Sequence, residues 1–254
     1  MSADLEIAAI GGLPEIATGA ELGTLIAGAG AEAGLAPGRG DVIVVSQKAV
    51  SKAEGRTRTL AEVTPGERAR RLAAELDKDP RVVELVLAES RRVVRAEAGV
   101  LIVETTGGWV CANAGIDSSN VPGTEAVTLL PLDADASARG IRAQLAVEPA
   151  ARPGVVIADS FGRPWRLGQA AVAIGCAGVI ALEDWRGRRD AEGRELSATE
   201  VAAADELAAA ADLARSKVSR EPAVLIRGAQ RFWTEADGSG AGALRRARER
   251  DLFR

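Results

Sequence analysis

The chain has 254 residues, 47% of them apolar and 27% charged, with a formal net charge of −4. That length buries a sizeable core as one large domain or two small ones, and the acidic balance argues against the electrostatic footprint of a nucleic-acid binder. No apolar run reaches the roughly 18 residues that span a bilayer, which argues against membrane insertion.

The N-terminal M-S-A-D-L-E carries acid where a secretory signal carries base, so a cytoplasmic location is expected. Leu5–Ile10 reads as a short strand running into the turn Gly11-Gly12-Leu13-Pro14-Glu15. Glu21–Ala33 reads as a helix with Leu22, Leu25, Ile26 and Ala29 on one face. After the loop Pro37–Gly40, Asp41–Ser46 is the clearest buried strand of the first third. It leads into Gln47–Arg56, where a helix would align Lys48, Lys52 and Arg56 on one face. Thr64-Pro65-Gly66-Glu67 has the pattern of an N-cap with Pro at N1 and Glu at N3, opening a helix to about Leu76. A second helix follows over Pro80–Glu89, then β segments at Arg92–Arg95 and Val100–Glu104.

Val110–Asn120 reads V-C-A-N-A-G-I-D-S-S-N, small and polar, with Asp117 as its only charge. It suits neither a packed helix nor a core strand, and is expected to bring backbone close to a ligand. Further on, Ala126–Leu130 predicts a strand, Asp133–Val147 a helix, and Gly154–Ala158 an apolar strand ending on Asp159-Ser160. Short β runs are expected at Ala170–Gly175 and Gly178–Leu182. Glu183–Leu196 is a charged loop, too long to be an idle connection. Thr199–Ala214 is expected to be the longest helix, and Pro222–Arg227 the last strand. Strands and helices mix without strict βαβ alternation. The fold class expected is therefore α+β, or irregular α/β, with more antiparallel pairing than a doubly wound sheet.

The absences narrow the chemistry. Histidine and tyrosine are both missing, which removes Ser-His-Asp triads, imidazole acid–base catalysis and His-ligated zinc. Cys111 and Cys176 lack CxxC spacing and read as two buried reduced thiols. A metal must then sit on oxygen ligands, which suits Mg²⁺ or Mn²⁺. Asp159 and Asp117 both follow β structure beside hydroxyl residues. Two carboxylates held at one point repel, and a divalent cation keeps both ionised; the bland alternative is that Asp159 caps a turn. Gly162 and Pro164 fix the backbone around Arg163 and Arg166, as suits phosphate or carboxylate recognition, although a surface loop with Trp165 packed down fits the same residues. With 28 arginines against four lysines, the pairing of Lys48 and Lys52 suggests a compact point charge is needed there. Asp190 and Glu195 are further candidate metal ligands on the charged loop, unless that loop is simply solvated. No P-loop is present, so a nucleotide would be held without one.

These stretches resemble the coenzyme F420:γ-glutamyl ligase family, including the N-terminal ligase domain of fused actinobacterial enzymes. The resemblance rests on Gly12–Ile16, Val50–Arg56, Cys111–Asn120, Asp159–Gln169, Ala173–Gly175, Asp190–Leu196 and Ala204–Leu213. They occur in family order from about residue 7 to 228, within one ligase domain taken as residues 1–254. It implies a GTP-dependent ligase that adds L-glutamate through γ-linked amide bonds to a deazaflavin coenzyme precursor, releasing GDP and phosphate. An acyl phosphate would be the intermediate. It also implies an intertwined homodimer of largely antiparallel sheets with flanking helices, Mg²⁺ or Mn²⁺, and room for a monovalent cation, K⁺.

On this resemblance Leu13, Pro14, Glu15, Ile16, Gln47, Lys52 and Asn120 fall at nucleotide-contacting positions. Asp117, Asp159, Ser160 and Glu195 fall at metal positions, and Lys52, Arg163 and Arg166 would stabilise developing charge. Ser160 stands where Thr is usual, Thr106-Gly107-Gly108 lacks a preceding basic residue, and Arg215-Ser216-Lys217 replaces a Gly-Lys helix end. The chain ends where fused enzymes continue into a reductase domain, so a stand-alone ligase or one domain of a longer protein is expected. A metal-dependent phosphohydrolase and a non-catalytic GTP-binding module are the alternatives that use the same carboxylates.

Overall fold

The computed structural model describes residues 4–118, 125–146, 148–216 and 218–252. The first half runs β1 (Glu6–Ile10), α1 (Leu22–Glu32), β2 (Val42–Ser46), α2 (Gln47–Ala53), β3 (Thr57–Thr59), α3 (Glu67–Leu76), α4 (Pro80–Ala88), β4 (Ser90–Glu97), β5 (Val100–Thr105) and β6 (Val110–Ala112). The second half runs β7 (Ala126–Thr128), α5 (Ala134–Leu145), β8 (Gly154–Arg163), β9 (Arg166–Ala177), β10 (Glu183–Asp184), β11 (Glu200–Val201), α6 (Ala203–Ala211) and β12 (Ala223–Arg227).

The main sheet has the order β1-β12-β2-β8-β9. Only β2 and β8 run parallel within it; the other neighbours are antiparallel. Continuous apolar runs explain why it is covered on both faces. On β2, Ile43 and Val45 enter one cluster with Ile26 of α1 and Ile141 of α5, while Val42 and Val44 enter another with Leu207 of α6. Alternation thus builds three layers, helices α1 and α5 on one side and α6 on the other. A separate sheet, β4-β5-β6, packs its Leu101 and Val103 on Ala69, Leu76, Val83 and Val86 of α3 and α4. The α+β class with mostly antiparallel pairing is as expected.

Local boundaries differ from expectation in four places. Helix α3 begins at Glu67 with Gly66 as its N-cap, not Thr64, and the Gly66 N–H donates to Glu84 at 2.9 Å. Helix α6 has nine residues and is shorter than the 12-residue α5, because Glu200–Val201 pairs with β10 instead of joining the helix. Of the two β runs expected around Cys176, Ala170–Gly175 lies within one long strand β9 that ends at Ala177, whereas Gly178–Leu182 is not a strand and makes only an isolated bridge from Val179 to Trp233. There Gly178 takes φ +68° beside the buried Arg142 guanidinium, which leaves no room for a Cβ and turns the chain out of the sheet. Strand β8 likewise runs past Ala158 to Arg163. The expected helix end at Val147 lies outside the described residues.

Helix α5 approaches β9 closely enough that a Cβ on Gly175 would overlap the Ala134 carbonyl. Gly175→Ala is therefore expected to destabilise the fold by about 1–3 kcal/mol through overpacking. A lower urea midpoint with an unchanged denaturant slope checks it.

Candidate active site

The parallel pairing of β2 with β8 closes at Ser46 opposite Ala158. Beyond that point β2 turns into α2, while β8 continues through an irregularity between Ile157 and Ala158 to Asp159 and Ser160. Asp159 is thus not at a strand end, as expected, but is the first residue of β8 past its parallel partner. Carboxyl ends of parallel strands are where α/β sheets open their ligand crevices.

An open cleft of about 1270 Å³ forms here, lined by Leu13–Ile16, Ser46, Lys48, Lys52, Asp117, Asp159 and Ser160. Gln169, Asp212, Arg215, Ser216, Arg220 and Glu221 complete its walls. Arg215 donates to Asp212 and to the Pro222 carbonyl, which seats it at the rim. Sequence reasoning noted Arg215 only as a departure from a family pattern. Its pairing with Asp212 at i,i+3 was the available signal.

Two lysine–carboxylate pairs lie in the cleft. The Lys48 ammonium lies 2.8 Å from Asp117, and Lys52 donates to Glu15 at 2.6 Å. Lys48 is 20% exposed and Asp117 41%, and pairs so accessible to water contribute at most about 1 kcal/mol. Both ammoniums are therefore exchangeable onto an incoming anion at little cost. Arg56, expected on the same basic face, behaves differently. It lies beyond the end of α2, turns inward, and donates to Glu89 at 2.7 Å and to the Leu130 carbonyl at 2.9 Å. Its side chain is only 9% exposed, and breaking such a buried pair costs about 3–5 kcal/mol. Arg56 is structural.

The stretch from Val110 is also different from expectation. Val110–Ala112 is strand β6, and a 3-10 turn over Asn113–Gly115 carries Asn113 and Ala114 at positive φ. A Cβ on Gly115 would meet the Leu130 side chain at 2.7 Å, and Ala114 is buried against α3 and α4. The small residues thus serve the turn and its packing, and they aim Asp117, bridged by backbone to Thr128, at the cleft. Ser119 and Asn120 lie outside the described residues. Cys111 sits on β6, where burial and the Asp159 charge push its thiol up to about 12; it is a neutral wall and not a nucleophile.

Asp117, Asp159 and Ser160 offer two carboxylates and a hydroxyl, a hard-oxygen set that fits Mg²⁺ or Mn²⁺ with other positions left to water or phosphate. One Asp159 oxygen accepts the Ser160 N–H at 2.8 Å, and the Lys48 ammonium supplies the counter-charge at Asp117. Among the described residues no group of three Asp, Glu or Cys gathers as a metal cage.

Other candidates fall elsewhere. Gln47 is buried, its amide donating to Ser51 and the Leu129 carbonyl. Asp190 and Glu195 occupy an exposed hairpin in which Glu195 bridges Arg189. Arg163 and Arg166 face each other at the β8–β9 tip, where Arg163 donates to the Leu167 carbonyl at 2.7 Å. None of these five lines the cleft. Trp165 at that tip is 80% exposed, not packed down.

The profile of the F420-0:Gamma-glutamyl ligase family matches residues 12–228. The chain is 43% identical over 217 residues to a "Coenzyme F420:L-glutamate ligase" of Methanopyrus kandleri, covering 85% of this chain and 86% of that one. It is 41% identical over 251 residues to the protein of the same name from Methanothermobacter thermautotrophicus, covering 98% and 99%. A Halobacterium salinarum relative is 43% identical over 253 residues, covering 97% and 94%.

Both cysteines are free and buried, and burial pushes Cys176 also to about 12. Neither thiol should react with an aromatic disulfide reagent at neutral pH in the native protein, and both should react after denaturation. Stoichiometric thiol titration reads this directly.

Proposed function

The chain belongs to the F420-0:gamma-glutamyl ligase family and is an enzyme of the coenzyme F420:L-glutamate ligase type; on that premise we propose that it couples GTP cleavage to addition of L-glutamate, through γ-linked amide bonds, onto the coenzyme precursor. The observation that carries the proposal is one cleft holding Asp117, Asp159 and Ser160 opposite two exchangeable lysines, Lys48 and Lys52. Its volume exceeds the roughly 300–1,000 Å³ of a single small-ligand pocket, which leaves room for more than one substrate.

In the proposed reaction a carboxylate oxygen of the precursor attacks the γ-phosphorus of GTP. The bond from that phosphorus to the bridging oxygen breaks, and GDP leaves. The glutamate amine then attacks the acyl carbon; the C–N bond forms, the C–O bond to phosphate breaks, and the amine proton passes to solvent as phosphate leaves. Lys48 and Lys52 exchange Asp117 and Glu15 for phosphate oxygens, placing fixed positive charge where negative charge accumulates. Leu13–Ile16 wall the cleft beside them. Asp117, Asp159 and Ser160 would hold the divalent cation, which when bound offsets phosphate charge. Arg163 and Arg166 lie on the hairpin tip, outside the cleft lining.

We read the enzyme as a cytoplasmic homodimer. Support comes from the β8–β9 tip, which exposes Leu167 almost fully (97%) beside Trp165, a pair that a second copy would cover. No helix among the described residues is long and apolar enough to cross a membrane.

With GTP, Mg²⁺ or Mn²⁺, L-glutamate and the precursor, mass spectrometry should find GDP, phosphate and a product heavier by one glutamyl residue. Asp159→Asn should abolish turnover while its circular dichroism stays native. Phosphate release without glutamate would instead identify a phosphohydrolase, and intact GTP would remove the ligase reading.

A further inference from the structure

A second cavity, about 420 Å³, lies apart from the lining of the cleft, between the β4-β5-β6 sheet, the start of α5 and the C-terminal segment. Its walls include Trp109, Leu130, Ile174 and three arginines, Arg91, Arg139 and Arg245. The carboxylates there are committed elsewhere. Glu89 pairs with Arg56, Asp133 caps α5 by accepting the Ala136 N–H, and Asp135 accepts the N–H groups of Cys176 and Ala241.

The arginines, by contrast, have no carboxylate partner among the described residues. Arg245 is held by neutral contacts: it donates to the carbonyls of Gly107 and Gly242, and its guanidinium lies 5.7 Å from the Trp109 ring centroid. The glycines around it make the seat. A Cβ on Gly108 or Gly242 would come within 2.8 Å of the Arg245 guanidinium. Three guanidiniums on exposed side chains, none in an ion pair among the described residues, converge on this hollow, an arrangement that suits a ligand carrying more than one anionic group.

We propose that this cavity binds a small dicarboxylate, its carboxylates on Arg91, Arg139 and Arg245 and its short carbon chain against Trp109, Leu130 and Ile174. The volume sits at the small end of ligand pockets, which suits a few-carbon chain and not a nucleotide. Naming L-glutamate as the occupant, at a site apart from the cleft where its amine reacts, rests on the ligase reading above, whereas the dicarboxylate class rests on the cavity alone. The 110–117 segment separates the two sites: Ala114 lines the cavity and Asp117 the cleft.

Isothermal titration of the full chain with glutarate, L-glutamate and sulfate tests the assignment in the absence of GTP. Glutarate and L-glutamate should bind, and Arg91→Ala/Arg139→Ala should weaken both by about tenfold or more, as loss of charge-assisted contacts predicts. Both side chains are exposed and make no ion pair among the described residues, so the double variant should melt as the wild type does. Asp159→Asn should bind both dicarboxylates normally, which keeps the result independent of turnover. Binding unchanged in the double variant, or absent in the wild type, overturns the proposal, and so does sulfate binding as tightly as glutarate. Glutarate binding without glutamate binding overturns the choice of occupant and not the ligase reading, which the product mass tests.

Discussion

The register of β2 on β8, Val42 opposite Gly154 through Ser46 opposite Ala158, is the constraint on which the rest of the site depends. It is the only parallel pairing within the main sheet, and the two strands leave it differently. One turns into a helix carrying Lys48 and Lys52; the other runs on as a strand carrying Asp159 and Ser160. Cations and anions are thereby delivered to one opening by backbone pairing alone. The packing beneath it, with Ile43, Val45, Val155 and Ile157 on one face and Val42, Val44 and Val156 on the other, holds that register. Slipping β2 by one residue would exchange its two apolar faces and move the lysines away from the carboxylates.

Exposure separates the ion pairs that build the protein from those that serve it. Arg56–Glu89 and Arg142–Asp237 each bury their guanidinium, where an unpaired partner would be costly. Lys48–Asp117 and Lys52–Glu15 leave the ammonium as well as the carboxylate partly accessible, so water already competes for both partners and such pairs contribute little. The same contrast distinguishes the two cavities. In the cleft, Lys48 and Lys52 pair with Asp117 and Glu15; in the smaller cavity, Asp133 and Asp135 accept backbone N–H groups and Glu89 pairs with Arg56, so Arg91, Arg139 and Arg245 make no ion pair among the described residues.

Much of this was legible in the chain itself. Continuous apolar strands such as D-V-I-V-V-S announce burial on both faces, and Asp117, Asp159, Ser160 and Lys52 do converge on one cleft. What the local pattern could not provide was direction. Lys48, Lys52 and Arg56 share a helical spacing, yet α2 stops at Ala53 and Arg56 turns into the core. Thr64 and Thr199 have capping chemistry, but a tertiary contact from Glu84 and a strand pairing at Glu200–Val201 set the helix starts. The small residues after Val110 looked like room for a ligand and instead make a positive-φ turn packed on Leu130. Arg163, Arg166 and Glu195 stood out by composition, but the long β8–β9 hairpin and the 189–195 hairpin carry them away from the cleft lining. The arginine-lined cavity joins residues from Arg91 to Arg245, a separation at which spacing gives no signal.

The central claim is that Asp117 and Asp159 act together on one divalent cation beside a bound nucleotide. Electron paramagnetic resonance of Mn²⁺ titrated into the protein with GDP measures this most directly, because bound and free Mn²⁺ differ in signal. The wild type should deplete free Mn²⁺, and Asp117→Asn and Asp159→Asn should each weaken binding by about tenfold or more. Equal Mn²⁺ binding by either variant would contradict the shared site.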